Sequence, residues 1–93
     1  MKIGNILLKN KLILAPMASA SDVGFRALAV ESGADYAVTE MVSAKGLLYN
    51  NKRTLELLHS MPSEKIKVVQ LFGSQPEVMA KACASEHLRD FDI

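Results

Sequence analysis

The side chains best suited to holding a ligand stand at, or just after, short apolar runs. Pro16, Met17 and Ala18 follow an apolar run that ends at Leu14, and Gln70 lies inside another. Small residues beside a proline, which donates no backbone hydrogen bond, leave room for a flat ligand on the backbone or simply form a tight turn. An unpartnered amide within a buried run costs about 1–3 kcal/mol. Gln70 therefore needs a backbone carbonyl, an ordered water or the polar edge of a ligand.

A carboxylate, Glu40, follows the next apolar run, Tyr36-Ala37-Val38. At the end of a strand such a group can serve in catalysis, cap the following helix, or pair with Lys45 or Lys52. The sequence alone leaves these roles open, and the last two are the more common ones.

Metal ligation is the next chemistry to consider. Cys83 and His87 are four residues apart in a predicted helix, but no third ligand stands near them. Cys83 shares its predicted helix face with apolar residues, so we expect it to be buried there. His59 is placed at a helix end, where it is expected to cap the last carbonyls. No metal site is predicted.

The composition of the chain predicts its domain organisation and compartment. The chain has 93 residues, a net charge of +1, 49% hydrophobic residues and 23% charged ones, which favours one small domain spanning residues 1–93. The near-neutral net charge gives no sign of the basic surface that binds nucleic acid or an anionic membrane. No apolar segment has the length of a signal peptide or a membrane span, and the lone cysteine fits a reducing compartment, so the cytoplasm is expected.

The first half of the chain predicts a hairpin followed by a strand and a helix. The apolar runs 6–8 and 12–14 flank a turn-forming segment, 9–11, and are expected to form the hairpin. Asp22 is a predicted N-cap, apolar residues recur at helical spacing from Phe25 to Ala29, and Gly33 marks the stop.

The second half of the chain repeats this alternation. A strand at 36–38 precedes a helical region at 42–59, which Tyr49-Asn50-Asn51 can interrupt. A strand at 67–72 then precedes a helix that opens at Pro76, and the last three residues, Phe91-Asp92-Ile93, resemble the start of a fourth strand.

Alternating strands and helices indicate an α/β fold with a parallel sheet built from right-handed βαβ units. Chemistry in such folds gathers at the carboxyl ends of the strands, which is why the residues named above matter. The pattern leaves open an open doubly wound sheet or a closed barrel, although the glycine-rich dinucleotide fingerprint is missing after the first strand.

Four segments together resemble the tRNA-dihydrouridine synthases, a family of FMN-dependent barrel enzymes. They are LKNKLILAPMASASD, VTEMVSAKGLLYNN, TLELLH and VVQLFGSQPEVMAKA. The KN-x-hydrophobic-APM part of the first is shared with other flavin barrels, whereas the second and third segments, in this order and spacing, are more specific. The resemblance implies the first three β/α units of a (β/α)8 TIM barrel, preceded by a short N-terminal β-hairpin, with the barrel incomplete at Ile93.

The family reduces the C5=C6 bond of uridine in tRNA, which gives 5,6-dihydrouridine, with hydride from FMN that NADPH has reduced. By position, the resemblance implies that Pro16, Met17 and Ala18 line the flavin ring and that Gln70 bonds its polar edge. The general-acid cysteine of the family would lie beyond Ile93, so no catalytic residue is expected within the chain and the fragment alone is expected to be inactive. Family members commonly carry glycine where this chain has Ser19.

Two alternatives remain beside the synthase. One is another FMN barrel oxidoreductase, such as an enone reductase, and the other is a non-catalytic remnant that persists as an oligomeric module. An open barrel would also leave strand edges unpaired, which predicts self-association of the 93-residue chain.

Overall fold

The computed structural model describes residues 1–20 and 22–93 of the chain. Over these residues the strands are β1 (Lys2–Ile3), β2 (Ile6–Leu7), β3 (Ile13–Leu14), β4 (Tyr36–Ser43) and β5 (Val68–Phe72). The α-helices are α1 (Val23–Glu31), α2 (Ala44–Leu48), α3 (Lys52–Glu56) and α4 (Pro76–Cys83), followed by a 3-10 turn at Glu86–Leu88. The chain is therefore a mixed α/β structure in which strands and helices alternate after the first hairpin.

The main sheet is parallel, with the strand order β3-β4-β5. Leu14 pairs with Ala37, and Val38 pairs with Val68. Each connection between neighbouring strands runs through helices, as parallel pairing requires. The predicted parallel α/β sheet is thus confirmed.

Side-chain caps set the helix boundaries. Asp22 accepts a hydrogen bond from the backbone N–H of Phe25, and Asn51 accepts one from the N–H of Thr54. Three residues separate the end of α2 from the start of α3, and Asn51, the last of them, caps α3, so the predicted interruption is observed. Gly33 has φ +124°, a conformation that side chains rarely adopt, and the chain leaves α1 there as predicted.

The N-terminal hairpin differs from the predicted one. β1 pairs antiparallel with β2, and Gly4, at φ +58°, lies in the turn between them. The runs 6–8 and 12–14 do not pair with each other because β3 joins β4 instead. Local turn propensity at 9–11 could not reveal that this segment wraps around a distant carboxylate.

That carboxylate belongs to Asp35, which lies just before β4. The backbone N–H groups of Lys9, Asn10 and Lys11 all donate to it, at distances down to 2.6 Å for Lys11. Partial burial opposes the charged form, but donation from Asn10, Lys11 and Lys9 outweighs it and holds the pKa of Asp35 below its usual value. The charged side chain therefore ties the hairpin to the sheet.

Acid is expected to weaken this tie. The folded-state pKa of Asp35 is depressed, so the stabilisation is present above the unfolded-state pKa and is lost as pH falls below about 4. Asp35→Asn should lower stability at neutral pH and flatten the acid limb of a plot of unfolding free energy against pH. The control is Asp90→Asn at an exposed site, which should leave the loss of stability at low pH unchanged. If Asp35→Asn also leaves it unchanged, the role of Asp35 is contradicted.

Apolar side chains form a cluster on each face of the sheet. The helix-side core contains Val42, Ala44, Leu47 and Ala82, with partly buried residues of β5 and α4 packed against it. The hairpin-side core contains Leu8, Tyr36 and Val68. The hairpin and the helices therefore cover opposite faces of the same sheet.

β4 contributes to both clusters because it changes face along its length. Tyr36 and Val38 belong to the hairpin-side core, whereas Val42 belongs to the helix-side core. Strict alternation would put all three on one face. A β-bulge between Val38 and Met41 inserts an extra residue and reverses the alternation.

A buried ion pair fastens α1 to the segment that precedes β5. Arg26 Nε lies 3.0 Å from Glu64 Oε1, and Arg26 Nη2 donates to the carbonyl of His59 at 2.6 Å. The other Glu64 oxygen accepts from the N–H of Met61. The inner face of α1 therefore carries a charge, which the apolar spacing of the helix did not predict.

Three expected core residues are exposed instead. Phe25 and Leu28 lie on the outer side of α1, since the buried residues of that helix are Arg26 and Ala27. Cys83 is exposed at the end of α4, so its predicted burial is wrong. Ala82 is buried and Val78 and Met79 pack against the same core, so the rest of the predicted apolar face of α4 is confirmed.

The last three residues run beside β5. The N–H of Asp92 donates to the carbonyl of Lys67, and the N–H of Val69 donates to the carbonyl of Ile93. These residues are not a regular strand, but their bonds extend the sheet at its β5 edge, where the fourth strand was predicted.

Candidate functional site

The carboxyl ends of β3, β4 and β5 meet at one edge of the sheet because the three strands are parallel. Ligand sites of parallel α/β folds lie at this edge, so it is the candidate site. The segment 15–20 leaves β3 here, α2 follows β4 directly, and Gly73-Ser74-Gln75 connects β5 to α4.

Pro16, Met17 and Ala18 lie in the segment that leaves β3. Pro16 is half-buried, Ala18 is exposed and Met17 is 44% exposed. The N–H of Ala20 donates to the carbonyl of Met17 at 3.0 Å and closes a turn. The predicted small-residue surface is therefore present, on a turn that begins right after the proline.

Gln70 lies in the middle of β5 and is half-buried. Val69 and Leu71 pack into the helix-side core, so alternation turns Gln70 to the opposite face, together with Val68 and Phe72. Among the described residues, no group forms a hydrogen bond with the Gln70 side chain, whose amide reaches solvent. The partner that the sequence required is thus not another residue of this part of the chain.

The structure places these residues on the same edge but not in one cluster. Strand β4 separates β3 from β5, so the backbones of the outer strands are about 10 Å apart. Leu14 pairs with Ala37, so the next residue, Ala15, lies beside Val38, which pairs with Val68 on its other side. Met17 is two residues after Ala15 and Gln70 is two residues after Val68, so Met17 and Gln70 lie at a similar height along the strands. An extended flat ligand is the kind of molecule that could contact both.

Glu40 does not cap the following helix, because the N-cap of α2 is Ser43. Glu40 Oε1 accepts a hydrogen bond from the backbone N–H of Ser19 at 2.5 Å. In the part of the chain that the structure describes, it forms no ion pair with Lys45 or Lys52. Glu40 therefore connects the middle of β4 to the turn that follows β3.

Ser19 adopts φ +66°, in the left-handed region that favours glycine. It is the third residue of the Met17–Ala20 turn, the position at which a type II turn requires positive φ. This geometry gives a physical reason why a glycine would suit this position.

Ser19→Gly is expected to stabilise the chain. Glycine adopts the left-handed conformation without the steric cost that a side chain brings, but it also raises the entropy of the unfolded chain. The first effect is larger, so the free energy of unfolding should rise by about 0.5–1 kcal/mol. Urea unfolding measures it. The matched control is Ser32→Gly, at φ −89°, which should destabilise; a similar loss in Ser19→Gly would contradict the strain at this turn.

Sequence reasoning placed Thr39 at the exit of a strand but gave it no role in the site. It is only 2% exposed, and its hydroxyl contacts both its own strand and β5. A threonine in an apolar run is ordinary for a strand, so no signal in the sequence distinguished it.

A shallow cleft of about 450 Å³ lies at the same edge of the sheet, and its lining does not include Pro16, Met17, Ala18 or Gln70. It is lined by residues from the ends of β4 and β5 and the turn after β5, including Ser43, Lys45, Phe72 and Ser74. Hydroxyl groups, an ammonium group and an aromatic face suit a polar, planar molecule.

The other reactive side chains lie elsewhere. Cys83 ends α4, the helix that begins at the candidate edge, so it stands toward the opposite edge of the sheet. His87 is in the 3-10 turn rather than on α4, and its Nε2 lies 2.7 Å from Asn50 Oδ1. His59 contributes its carbonyl to Arg26.

The described residues contain neither a cluster of metal ligands nor a helix that could span a membrane. No group of three or more histidine, cysteine, aspartate or glutamate side chains there is arranged to hold a metal ion. No helix among the same residues combines the length and apolarity needed to cross a membrane.

Comparison with known proteins identifies similar sequences. A family model described as Dihydrouridine synthase (Dus) matches residues 13–92. The chain is 44% identical over 82 residues to tRNA-dihydrouridine synthase B of Vibrio vulnificus, an alignment covering 88% of this chain and 26% of that protein. It is 38% identical over 79 residues to a probable tRNA-dihydrouridine synthase of Treponema pallidum, covering 85% and 23%. The chain thus spans about a quarter of the length of these curated relatives.

Proposed function

Because the chain belongs to the dihydrouridine synthase family, we propose that the whole protein that carries it reduces uridine to 5,6-dihydrouridine in tRNA. In this proposal FMN is the flavin cofactor, NADPH is the reductant and residues 1–93 are the N-terminal part of a TIM-barrel domain that works in the cytoplasm. The match over most of the chain supports the family activity, and the edge geometry supports the flavin.

The half-buried Gln70 amide is the observation that carries the flavin part of the proposal. Its side chain has no partner among the described residues, and it stands level with the turn that Met17 begins. A flavin ring has a carbonyl and ring-nitrogen edge that an amide can bond, and a flat body that suits Pro16 and Ala18. The residues present therefore fit the group.

When bound, FMN supplies the hydride for the C5=C6 bond of uridine, and the chain holds the ring in place. Gln70 donates to and accepts from its polar edge, while Pro16, Met17 and Ala18 lie against its flat side and exclude water. None of the residues 1–93 is proposed as the general acid, since Cys83 stands away from this edge. On this basis we expect the 93-residue chain alone to be inactive.

The whole protein should copurify with FMN and form dihydrouridine in unmodified tRNA when NADPH is supplied. Absorbance near the flavin bands and mass spectrometry of digested tRNA measure the two outcomes. A flavin-free protein that leaves uridine unchanged would contradict the proposal. Reduction of a small enone without reduction of tRNA would favour the enone reductase.

Gln70→Leu should weaken FMN binding by about tenfold, the value of one good hydrogen bond. The substitution replaces an amide without protein partners by an apolar group of similar size, so the free energy of unfolding without FMN should be unchanged or higher. Fluorescence titration with FMN and urea unfolding are measured on the same preparation. Equal FMN affinity in both proteins would remove Gln70 from the site.

Exposed apolar side chains support the further proposal that the 93-residue chain associates with itself. Leu12 and Ile13 are exposed on and beside the edge strand β3, and Phe72 is exposed at the end of β5. Unpaired strand edges with apolar side chains are templates for pairing with another copy. In a completed barrel, further strands would cover these edges.

A further inference from the structure

The β-bulge in β4 lies between the two parts of the candidate flavin site. Val38 pairs with Val68 and Met41 pairs with Gln70, so that Thr39 and Glu40 together oppose one residue of β5. Bulges next to functional sites commonly redirect side chains. Here the two bulge residues contact different sides of the site.

Thr39 contacts the β5 side. Its buried Oγ1 accepts a hydrogen bond from the backbone N–H of Gln70 at 3.1 Å and donates to the carbonyl of Glu40 at 2.9 Å. The hydroxyl thus replaces the ladder acceptor that the bulge has displaced. This hydrogen bond holds the backbone of Gln70, which carries the amide, in addition to the strand pairing of Gln70 with Met41.

Glu40 contacts the β3 side. Its carboxylate accepts from the N–H of Ser19 at 2.5 Å, a short bond of the charge-assisted kind. Ser19 is the left-handed residue of the turn that contains Met17 and Ala18. The carboxylate therefore stabilises the conformation that presents those two residues at the edge.

We propose that Thr39 and Glu40 are positioning residues of the flavin site, acting through the β4 bulge: Thr39 orients Gln70, and Glu40 orients the Met17–Ala20 turn. The inference rests on the proposed function, because it assigns these contacts to FMN binding. Neither side chain touches the ring in this assignment. Their effect on FMN passes through the backbone groups they hold.

Thr39 is tested by three variants of the whole protein, each titrated with FMN. Thr39→Val keeps the shape but removes the hydroxyl, and it should weaken FMN binding by about tenfold, as expected for one lost hydrogen bond. Thr39→Ser restores the hydroxyl and should restore affinity. Thr54→Val is the matched control, since Thr54 is also buried and its hydroxyl bonds Asn51 on α3, away from the site.

The role of Glu40 is tested by measuring FMN binding of Glu40 variants with and without a second substitution in the Met17–Ala20 turn. Glu40→Ala should weaken FMN binding in the native sequence, and the loss should shrink in a Ser19→Gly background, where the turn no longer depends on the carboxylate. Glu40→Gln retains an acceptor oxygen, so its FMN affinity should lie between those of the native protein and Glu40→Ala. A merely structural role would give the same loss in both backgrounds.

The outcomes separate this inference from the proposed function. Wild-type protein that binds FMN and reduces tRNA, with Thr39→Val equal to wild type or Thr54→Val equally impaired, would overturn the positioning role alone. If Thr39→Val does not fold, the Glu40 and Ser19 variants decide: a loss for Glu40→Ala that shrinks in the Ser19→Gly background supports the positioning role, and an equal loss overturns it. Wild-type protein that takes up no FMN would overturn both proposals.

Discussion

Replacing Arg26 by methionine is expected to lower the free energy of unfolding by about 3–5 kcal/mol. Arg26 is 2% exposed and Glu64 is 5% exposed, so the substitution leaves a buried carboxylate without its charged partner. The carbonyl of His59 also loses a donor. For a chain of this size, whose stability is expected to be about 5–14 kcal/mol, the loss is a large fraction of the total.

Urea unfolding of the 93-residue chain measures this effect. Arg53→Met is the matched control, because Arg53 is exposed on α3 and the same change there should alter stability by less than about 0.5 kcal/mol. The double variant Arg26→Met, Glu64→Leu should recover much of the loss, since it leaves no unpaired charge. A double variant that is as unstable as the sum of two large single losses would show that the ion pair is not the cause.

Leu47→Ala is the second large effect, with an expected loss of about 2–5 kcal/mol. Leu47 is 1% exposed in the helix-side core, where it packs with Val42, Ala44 and Ala82. Its removal leaves a cavity between β4 and the helices α2 and α4. These elements follow the strand ends that form the candidate site, so local loosening there should also be visible as faster amide exchange in α2.

The same substitution at Leu28 provides the control. Leu28 is 61% exposed on α1, and alanine is an equally good helix former, so Leu28→Ala should change stability by less than about 0.5 kcal/mol. Measurement at several protein concentrations separates this effect from self-association. Equal losses at the two positions would contradict the assignment of Leu47 to the core.

Features that depend on neighbouring residues were predictable from the sequence. The Asp22 cap, the glycine stop at Gly33 and the helix start at Pro76 each rest on the conformational preference of one residue and its local hydrogen bonds. The interruption at Tyr49–Asn51 has the same origin. Strands that alternate with helices then required a parallel sheet, and that sheet put Pro16 and Gln70 at one edge.

Features that depend on distant partners were not predictable in this way. The segment 9–11 has the composition of a hairpin turn, but its amides bind Asp35, which is about 25 positions away. Arg26 would ordinarily be assigned to a solvent-facing position, and its burial depends on distant partners, Glu64, 38 positions further along, and the carbonyl of His59. Because the ion pair of Arg26 with Glu64 turns α1, Phe25 and Leu28 face outward.

The sequence by itself determined the α/β class, the cap at Asp22, the helix stop at Gly33 and the meeting of the strand ends at one edge of the sheet, because local conformational preferences and apolar periodicity control them. It ended β4 too early, since the strand predicted at 36–38 continues to Ser43 and takes in the predicted helix start at Val42. Only the tertiary structure decided how those strand ends are held. The bulge in β4 depends on pairing with β5, and it alone brings the Thr39 hydroxyl to Gln70 and the Glu40 carboxylate to Ser19. Apolar periodicity within one strand cannot reveal a bulge, because a bulge is an extra residue only in comparison with the strand that pairs with it.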